Sequence, residues 1–136
     1  MEFLLYLSPI GQQIINSVSL TKFKIQENAP ICRKYKEVFG FTNTSQFIIC
    51  TDNIKNSIGP VNYYVNETVY HEAVHIAQMC KQRPLDINIS SLSPSKMNDI
   101  VRSTQYAKDA FPYEVEAYYL EDKPEKVLSY VQKFCF

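Results

Sequence analysis

The sequence predicts a small α+β domain in which a few short strands pack against several helices. Its 136 residues fit one compact domain over 1–136. Hydrophobic residues make up 46% and charged residues 21%, as in globular proteins, which excludes a disordered or fibrous chain. The β-branched, apolar run 46–51 is typical of a strand, whereas the stretch 67–82, free of glycine and proline, is typical of a helix. These two patterns indicate a mixed fold.

The first half of the chain is predicted to contain short helices and strands. Ser8 and Pro9 form a typical helix start, and Gly40 is a typical helix end. Alternation and β-branched residues indicate the strands. We expect, in order, a helix over 9–17, a strand over 19–25, a helical turn over 33–39 that ends at Gly40, a strand over 46–51 and a second strand over 61–65.

The second half is predicted to be helical. Asn66 is a suitable N-cap for the helix 67–82, and Pro84 closes it. Asp122 and Glu125 have the spacing of a capping box at the start of a terminal helix. We expect further helices over 94–106 and 113–121, each behind a proline.

Charge and hydropathy argue against nucleic acid and membrane as partners. Fourteen basic residues balance fourteen acidic ones and form no basic stripe. No apolar run approaches the roughly 20 residues that cross a bilayer. The apolar start is brief and lacks a cationic region, so no signal peptide is expected, which slightly favours the cytoplasm.

The four cysteines allow disulfides but do not establish them. None forms a C-x-x-C pair, which excludes a zinc ribbon and a thioredoxin-like site. A bridge between Cys80 and Cys135 would join the ends of two predicted helices, although four cysteines permit three connectivities. Four buried thiols are an equally open alternative.

The only two histidines lie in an H-E-x-x-H motif formed by His71, Glu72 and His75. Residues four apart lie one turn apart on one helix face, so both imidazoles can bind one ion. Such a pair suits Zn²⁺, whose catalytic sites keep one position for water. Glu72 projects beside the pair and could deprotonate that water. The alternative is an ordinary helix that happens to carry two histidines.

A third protein ligand must be an acid or a thiolate, because no histidine is left. Glu114 and Ala117 are three residues apart and share a helix face, so a close approach through Ala117 would aim Glu114 at the metal. Glu116 points away from that face and stays as the alternative third ligand. Either acid could instead be solvated and favoured by the helix dipole.

The two motifs resemble those of gluzincin-type zincin metallopeptidases, in which H-E-x-x-H is followed by E-x-x-A on a second helix. The resemblance covers residues 71–75 and 114–117. It implies a small zincin-like domain with short strands packed on a metal-binding helix. The implied roles are zinc ligand for His71, His75 and Glu114, and general base for Glu72. The longer pattern H-E-x-x-H-x-x-Q also resembles small peptidases of bacteria and phages.

The resemblance further implies a partner for one imidazole and a strand that binds substrate. Many gluzincins carry Asp or Asn four residues after the glutamate ligand; Tyr118 stands there, and a phenol can accept that hydrogen bond. Were Glu116 the ligand, Leu120 would stand there and could not. Zincins commonly bind substrate as an added strand along a sheet edge, for which Phe47–Thr51 is the candidate.

Two functions from different classes remain open. The leading prediction is a zinc-dependent metallopeptidase that acts on a peptide or protein substrate. The alternative is a non-catalytic zincin-like module, held by zinc or cysteine bridges, whose tyrosine-rich surface binds another protein. A peptidase needs three protein ligands and one open position, whereas a structural site should be closed by a fourth ligand such as a cysteine.

Overall fold

The computed structural model describes residues 1–105 and 107–136 and shows a small α+β fold. Short 3₁₀ helices cover Glu2–Tyr6 and Lys108–Ala110. The strands are β1 (Lys24–Glu27), β2 (Gly40–Thr42) and β3 (Gln46–Ile49). The α-helices are α1 (Pro9–Ser19), α2 (Pro30–Lys34), α3 (Thr51–Lys55), α4 (Val61–Lys81), α5 (Pro94–Thr104), α6 (Phe111–Leu120) and α7 (Pro124–Cys135). The mixed fold class predicted from the sequence is confirmed.

The strands form one sheet in the order β1-β3-β2. β1 runs parallel to β3, with Ile25 opposite Phe47, and β2 runs antiparallel to it. The side chains of residues 47–49 are buried. The strand predicted over 46–51 is therefore confirmed over most of its length. Its expected role as an exposed edge for substrate is wrong, because both of its edges are paired within the sheet.

Helix α4 begins earlier than the sequence predicts. The stretch Val61–Val65, expected as a strand, forms the start of the helix, so that prediction is wrong. Asn66, expected as the N-cap, lies inside the helix. Its side-chain oxygen accepts the N–H of Ser8, and its amide donates to the carbonyl of Tyr6. Asn66 therefore anchors the N-terminal segment to α4.

One face of α4 lies in the centre of the core. Val65, Val69, Ala73 and Ile76 recur at helical spacing, and none is exposed to solvent. Helices α1, α6 and α7 pack against α4. Burying a Val or Ile side chain contributes about 1.5–3 kcal/mol, so this packing fixes the direction of the helix. It thereby also fixes the backbone that carries the histidines.

The remaining predicted helices occur with shifted ends. α1 is confirmed, and Ser8 caps it by accepting the N–H of Gly11 through its hydroxyl oxygen. α5 and α6 confirm the helices expected over 94–106 and 113–121, although Tyr106 lies outside the described residues. The strand expected over 19–25 is shifted toward the C-terminus, to β1. None of the described helices combines the length and apolar character that crossing a bilayer requires.

The start of α7 differs from the capping box expected at Asp122. The N-cap is Lys123, and no side chain caps the helix. The carboxylate of Asp122 instead pairs with the amines of Lys96 and Lys123, at 3.4 Å and 2.8 Å. Attraction to two cations competes with capping, which a local spacing pattern does not reveal.

Gly40 begins β2 and does not end a helical turn, because α2 is already complete at Lys34. A Cβ atom at Gly40 would lie 2.6 Å from Thr68 Cγ2 and 2.9 Å from Glu72 Cγ. Glycine at this position therefore allows β2 to approach α4 closely. The close approach brings the strand against the H-E-x-x-H motif.

Two disulfides brace the fold. One joins Cys32 to Cys50 and the other joins Cys80 to Cys135. The second links the C-terminal turn of α4 to that of α7. This is the pairing between two helix ends that the sequence analysis considered. The two bridges settle the connectivity that the sequence left open, in favour of disulfides over buried thiols.

Glu27, at the end of β1, ties the N-terminal segment to the sheet. Its carboxylate accepts the backbone N–H groups of Glu2 and Phe3, at 2.9 Å and 2.7 Å, and the hydroxyl of Thr51 at 2.6 Å. Partial burial raises the pKa of Glu27, but these hydrogen bonds outweigh burial and hold the pKa below its ordinary value of 4.5.

We expect Glu27→Gln to lower the free energy of unfolding by about 1–3 kcal/mol at neutral pH, because a neutral amide replaces an ionised acceptor. A carboxyl group whose pKa is lowered by folding adds stability above its unfolded pKa of 4.5. That stability is lost as the pH falls through the lower folded pKa. Urea unfolding should therefore show a difference between wild type and variant that shrinks below about pH 4. A constant difference across this range would contradict the assignment.

Candidate metal centre

Two packed helices bring His71, His75 and Glu114 together. The histidines lie on α4, and Glu114 lies in the first turn of α6. One ligand atom from each of the three residues lies within 4.8 Å of the others. Glu114 Oε1 is 2.5 Å from His75 Nε2, and its Oε2 is 3.5 Å from His71 Nε2. Ala117 is fully buried, as the close approach predicted from the sequence requires. Two imidazoles and a carboxylate are a donor set that zinc binds.

The other nitrogen of each ring faces an oxygen of the protein. His71 Nδ1 lies 2.9 Å from Glu121 Oε1, and His75 Nδ1 lies 2.7 Å from Gln78 Oε1. Both oxygens are acceptors, so each Nδ1 carries a hydrogen. A neutral ring then keeps its lone pair on Nε2, the atom that faces Glu114. This arrangement of imidazoles fits a metal ion, because ligating histidines usually donate their second N–H to a carboxylate or carbonyl.

The protonation of the histidines is coupled to Glu114. Burial lowers the pKa of both imidazoles, but hydrogen bonds to Glu114 outweigh it. The pKa of His71 is also raised by its hydrogen bond to Glu121, and both values lie above 6.5. Burial raises the pKa of Glu114, while the two histidines hold it well below its usual range. The carboxylate of Glu114 therefore stabilises positive charge at this position, which a proton on an imidazole or a bound cation can supply.

Glu72 lies beside the triad and is only 7% exposed. The hydroxyl of Thr42 on β2 donates to Glu72 Oε1 at 2.7 Å. The charge of Glu72 raises the pKa of both histidines, so it lies within electrostatic reach of them. Thr42 thus orients the predicted general base. Sequence reasoning missed Thr42 because β2 is far from α4 along the chain and no local pattern joins them.

The carboxylate of Glu116 accepts hydrogen bonds from groups other than the histidines. Its Oε1 accepts the amide N–H of Gln78 and the backbone N–H of Leu85, both at 2.8 Å. Its Oε2 accepts the backbone N–H of Asp86 at 2.8 Å. Because both oxygens bind protein donors, the position of Glu116 does not suit the alternative in which it is the third ligand.

Tyr118 contacts His71 in a different way from the one expected. The two rings are packed edge to face, with centroids 4.6 Å apart and planes at 77°. The carboxylate of Glu121 accepts the hydrogen bond of the His71 imidazole, so the expectation that the phenol of Tyr118 accepts it is wrong. Lys96 lies 3.7 Å from the other oxygen of Glu121. Glu121 follows Glu114 by two helical turns, a spacing in the sequence that could have indicated it.

A cavity of about 400 Å³ lies next to Glu121, the residue that accepts the hydrogen bond of His71. Tyr63, Glu67 and Tyr70 line it from α4, and Glu121, which also contacts His71, lines it from the end of α6. Burial and the charge of Glu121 raise the pKa of Glu67. His71, His75 and Glu114 are not among the residues that line the cavity, so it adjoins the candidate centre through Glu121.

The cysteines cannot serve as a fourth ligand. All four are paired in the two disulfides, so no thiolate is left for a metal. A closed structural zinc site completed by a cysteine is therefore excluded. The three donor atoms of the triad leave a tetrahedral ion one position for another ligand.

Fold and site together define a small α+β domain with a candidate metal centre of two histidines and one glutamate. The chain belongs to the DUF8637 family, described as a domain of unknown function, whose family model matches residues 3–136. No curated protein and no solved structure matches the chain significantly. The function therefore has to be inferred from the residues of the chain itself.

Proposed function

We propose that this protein is a zinc-dependent metallopeptidase built on a small zincin-like domain. The observation that carries the proposal is the convergence of His71, His75 and Glu114 beside the carboxylate of Glu72. In this proposal the three convergent residues are the zinc ligands. Their elements match the H-E-x-x-H and E-x-x-A motifs in type, order and helical setting.

Each residue of the site has a role in peptide hydrolysis. Bound zinc supplies Lewis-acid chemistry, which polarises a carbonyl and makes water more acidic. Glu72 accepts the proton of the attacking water and returns it to the amine that leaves when the peptide bond breaks. Thr42 holds Glu72 in place by its hydrogen bond of 2.7 Å. Glu121 and Gln78 hold the two rings.

The disulfides favour the catalytic proposal over the non-catalytic module. Small domains often need a metal to supplement a limited core. Here two disulfides and a buried core already brace the helices, so a zinc ion is not needed for that purpose. The absence of a cysteine thiolate also keeps the fourth position open to substrate.

The disulfides also bear on where the protein acts. Disulfides form and persist mainly in oxidising compartments. We therefore propose an oxidising compartment, in place of the cytoplasm slightly favoured by the sequence.

Zinc loading and peptide hydrolysis test the proposal together. Chelator-treated protein is titrated with Zn²⁺ and assayed by mass spectrometry on a mixture of unstructured peptides. We expect one zinc per chain, and hydrolysis by the loaded protein only. Glu114→Ala should lose both properties, because it removes a ligand.

The matched control is Glu125→Ala, which replaces an exposed acid on α7 and should keep both properties. Folded wild-type protein that binds no zinc would refute the metal centre. Zinc binding without cleavage of any peptide would favour the non-catalytic module.

A further inference from the structure

Gln78 connects the metal centre to a second buried carboxylate. It lies one turn after His75 on α4 and is only 2% exposed. Its Oε1 lies 2.7 Å from His75 Nδ1. Its Nε2 lies 2.8 Å from Glu116 Oε1 and 3.0 Å from the backbone oxygen of Tyr113. The whole amide is therefore in contact with groups that form hydrogen bonds.

Only one orientation of this amide satisfies its neighbours. The carbonyl of Tyr113 and the carboxylate of Glu116 both accept hydrogen bonds, so the NH₂ group must face them. A half-turn of the amide would place its oxygen against two acceptors in a buried environment, which is unfavourable. The oxygen of Gln78 therefore faces His75, and His75 Nδ1 must donate.

Glu116 is itself held as an acceptor. Besides Gln78, it accepts backbone N–H groups of Leu85 and Asp86, in the loop that follows α4. Asp86 adopts a left-handed backbone, with φ of 63°, at this point. The loop thus presents two donors to Glu116, and Glu116 presents an acceptor to Gln78.

We propose that Glu116 is a positioning residue that acts through Gln78 to hold His75 in the Nδ1–H tautomer. This tautomer keeps the lone pair on Nε2, the atom that faces Glu114. The inference rests on the proposed function only for the use made of that lone pair, since the tautomer is a property of the chain alone. Sequence reasoning considered Glu116 as the alternative metal ligand or as a solvated acid, and not as a positioning residue.

The two histidines are held by different means. The carboxylate of Glu121 contacts His71 directly. His75 is instead contacted by a neutral amide, with the carboxylate of Glu116 beyond it. The amide transmits the orientation without placing another negative charge against the ring that already faces Glu114. The relay therefore fixes the proton position on His75 while limiting the charge at the centre.

The tautomer of His75 can be measured without metal by long-range ¹H–¹⁵N NMR of the imidazole. The measurement uses the Glu114→Ala background, because Glu114 lies 2.5 Å from His75 Nε2 and would itself favour a proton there. At a pH at which His75 is neutral, we expect the Nδ1–H tautomer. Adding Gln78→Met or Glu116→Gln should shift the ring toward Nε2–H, the form that free histidine prefers in water. An Nε2–H majority before either addition, or no shift after Glu116→Gln, would overturn the inference.

Zinc affinity gives the second readout, in the full chain with Glu114 present. Competition against a chromophoric chelator should show binding weakened about 10- to 100-fold by Gln78→Met and by Glu116→Gln. Glu125→Gln, an exposed Glu-to-Gln change, should leave the affinity unchanged. Unaltered affinity in Gln78→Met would overturn the relay.

The two readouts also decide the inference if a variant does not fold or if the wild-type protein binds no zinc. If circular dichroism shows that Glu116→Gln does not fold, Gln78→Met decides by both readouts, because it leaves the bonds from Glu116 to the loop in place. If wild-type protein binds no zinc, the proposed function fails, while the tautomer measurement still decides the inference.

Discussion

Replacing His75 by alanine should abolish stoichiometric zinc binding. The substitution removes one of three donor atoms that lie within 4.8 Å of one another. Structural zinc sites with four ligands gain about 10–16 kcal/mol, so the loss of one ligand should weaken binding roughly a hundred- to a thousand-fold. Elemental analysis after dialysis and a competition titration measure the effect.

The control for His75→Ala is Asn62→Ala, an exposed position near the start of the same helix. This variant should bind zinc as the wild type does. Circular dichroism establishes that both variants are folded, so that zinc loss is not a consequence of unfolding. Undiminished zinc content in folded His75→Ala would show that the triad is not the metal site.

Glu72→Gln should keep zinc and lose peptide hydrolysis. Glutamine has the shape of glutamate and retains an oxygen for the hydroxyl of Thr42, so the local packing is preserved. An amide cannot accept the proton of the attacking water. General base catalysis contributes about 10²- to 10⁴-fold, and kcat should fall by that factor.

For Glu72→Gln, the informative measurement is the pair of zinc affinity and kcat on the same preparation. Glu125→Gln serves as the charge-matched control and should change neither. Equal activity of wild type and Glu72→Gln would exclude Glu72 as the base. Joint loss of zinc and activity would mean that Glu72 supports the site structurally.

The error at residues 61–65 shows how tertiary packing decides a local ambiguity. Valine and tyrosine favour strands and make up four of these five residues, but a stretch of five is too short to distinguish a strand from a helix by periodicity. In the fold, Val65 and Val69 occupy the same buried face of α4, so burial in the core extends the helix back to Pro60. The strand of residues 46–49 was easier to predict because residues 47–49 form a continuous apolar run, which is buried in the middle of the sheet.

The residues of the candidate site likewise differ in whether local spacing or tertiary packing determines their position. Helical spacing predicts that His71 and His75 share a face, and the spacing of Glu114 to Ala117 predicts which acid meets them. Thr42 and the role of Glu116 depend on how β2 and the loop after α4 pack, which single-helix spacing does not reveal. Sequence reasoning can therefore identify donor atoms more readily than the groups that orient them.

The Cys80–Cys135 disulfide links the two parts of the chain that form the candidate metal centre. The histidines precede Cys80, while Glu114 and Glu121 lie between the two cysteines. Residues 88–93, between α4 and α5, form no helix or strand and none of them is buried, which is typical of sites of proteolytic nicking. A chain cut there would remain one covalent molecule, with both imidazoles and Glu72 on one fragment and Glu114 and Glu121 on the other. The fragments would separate, and the candidate centre would come apart, only after the Cys80–Cys135 disulfide had been reduced.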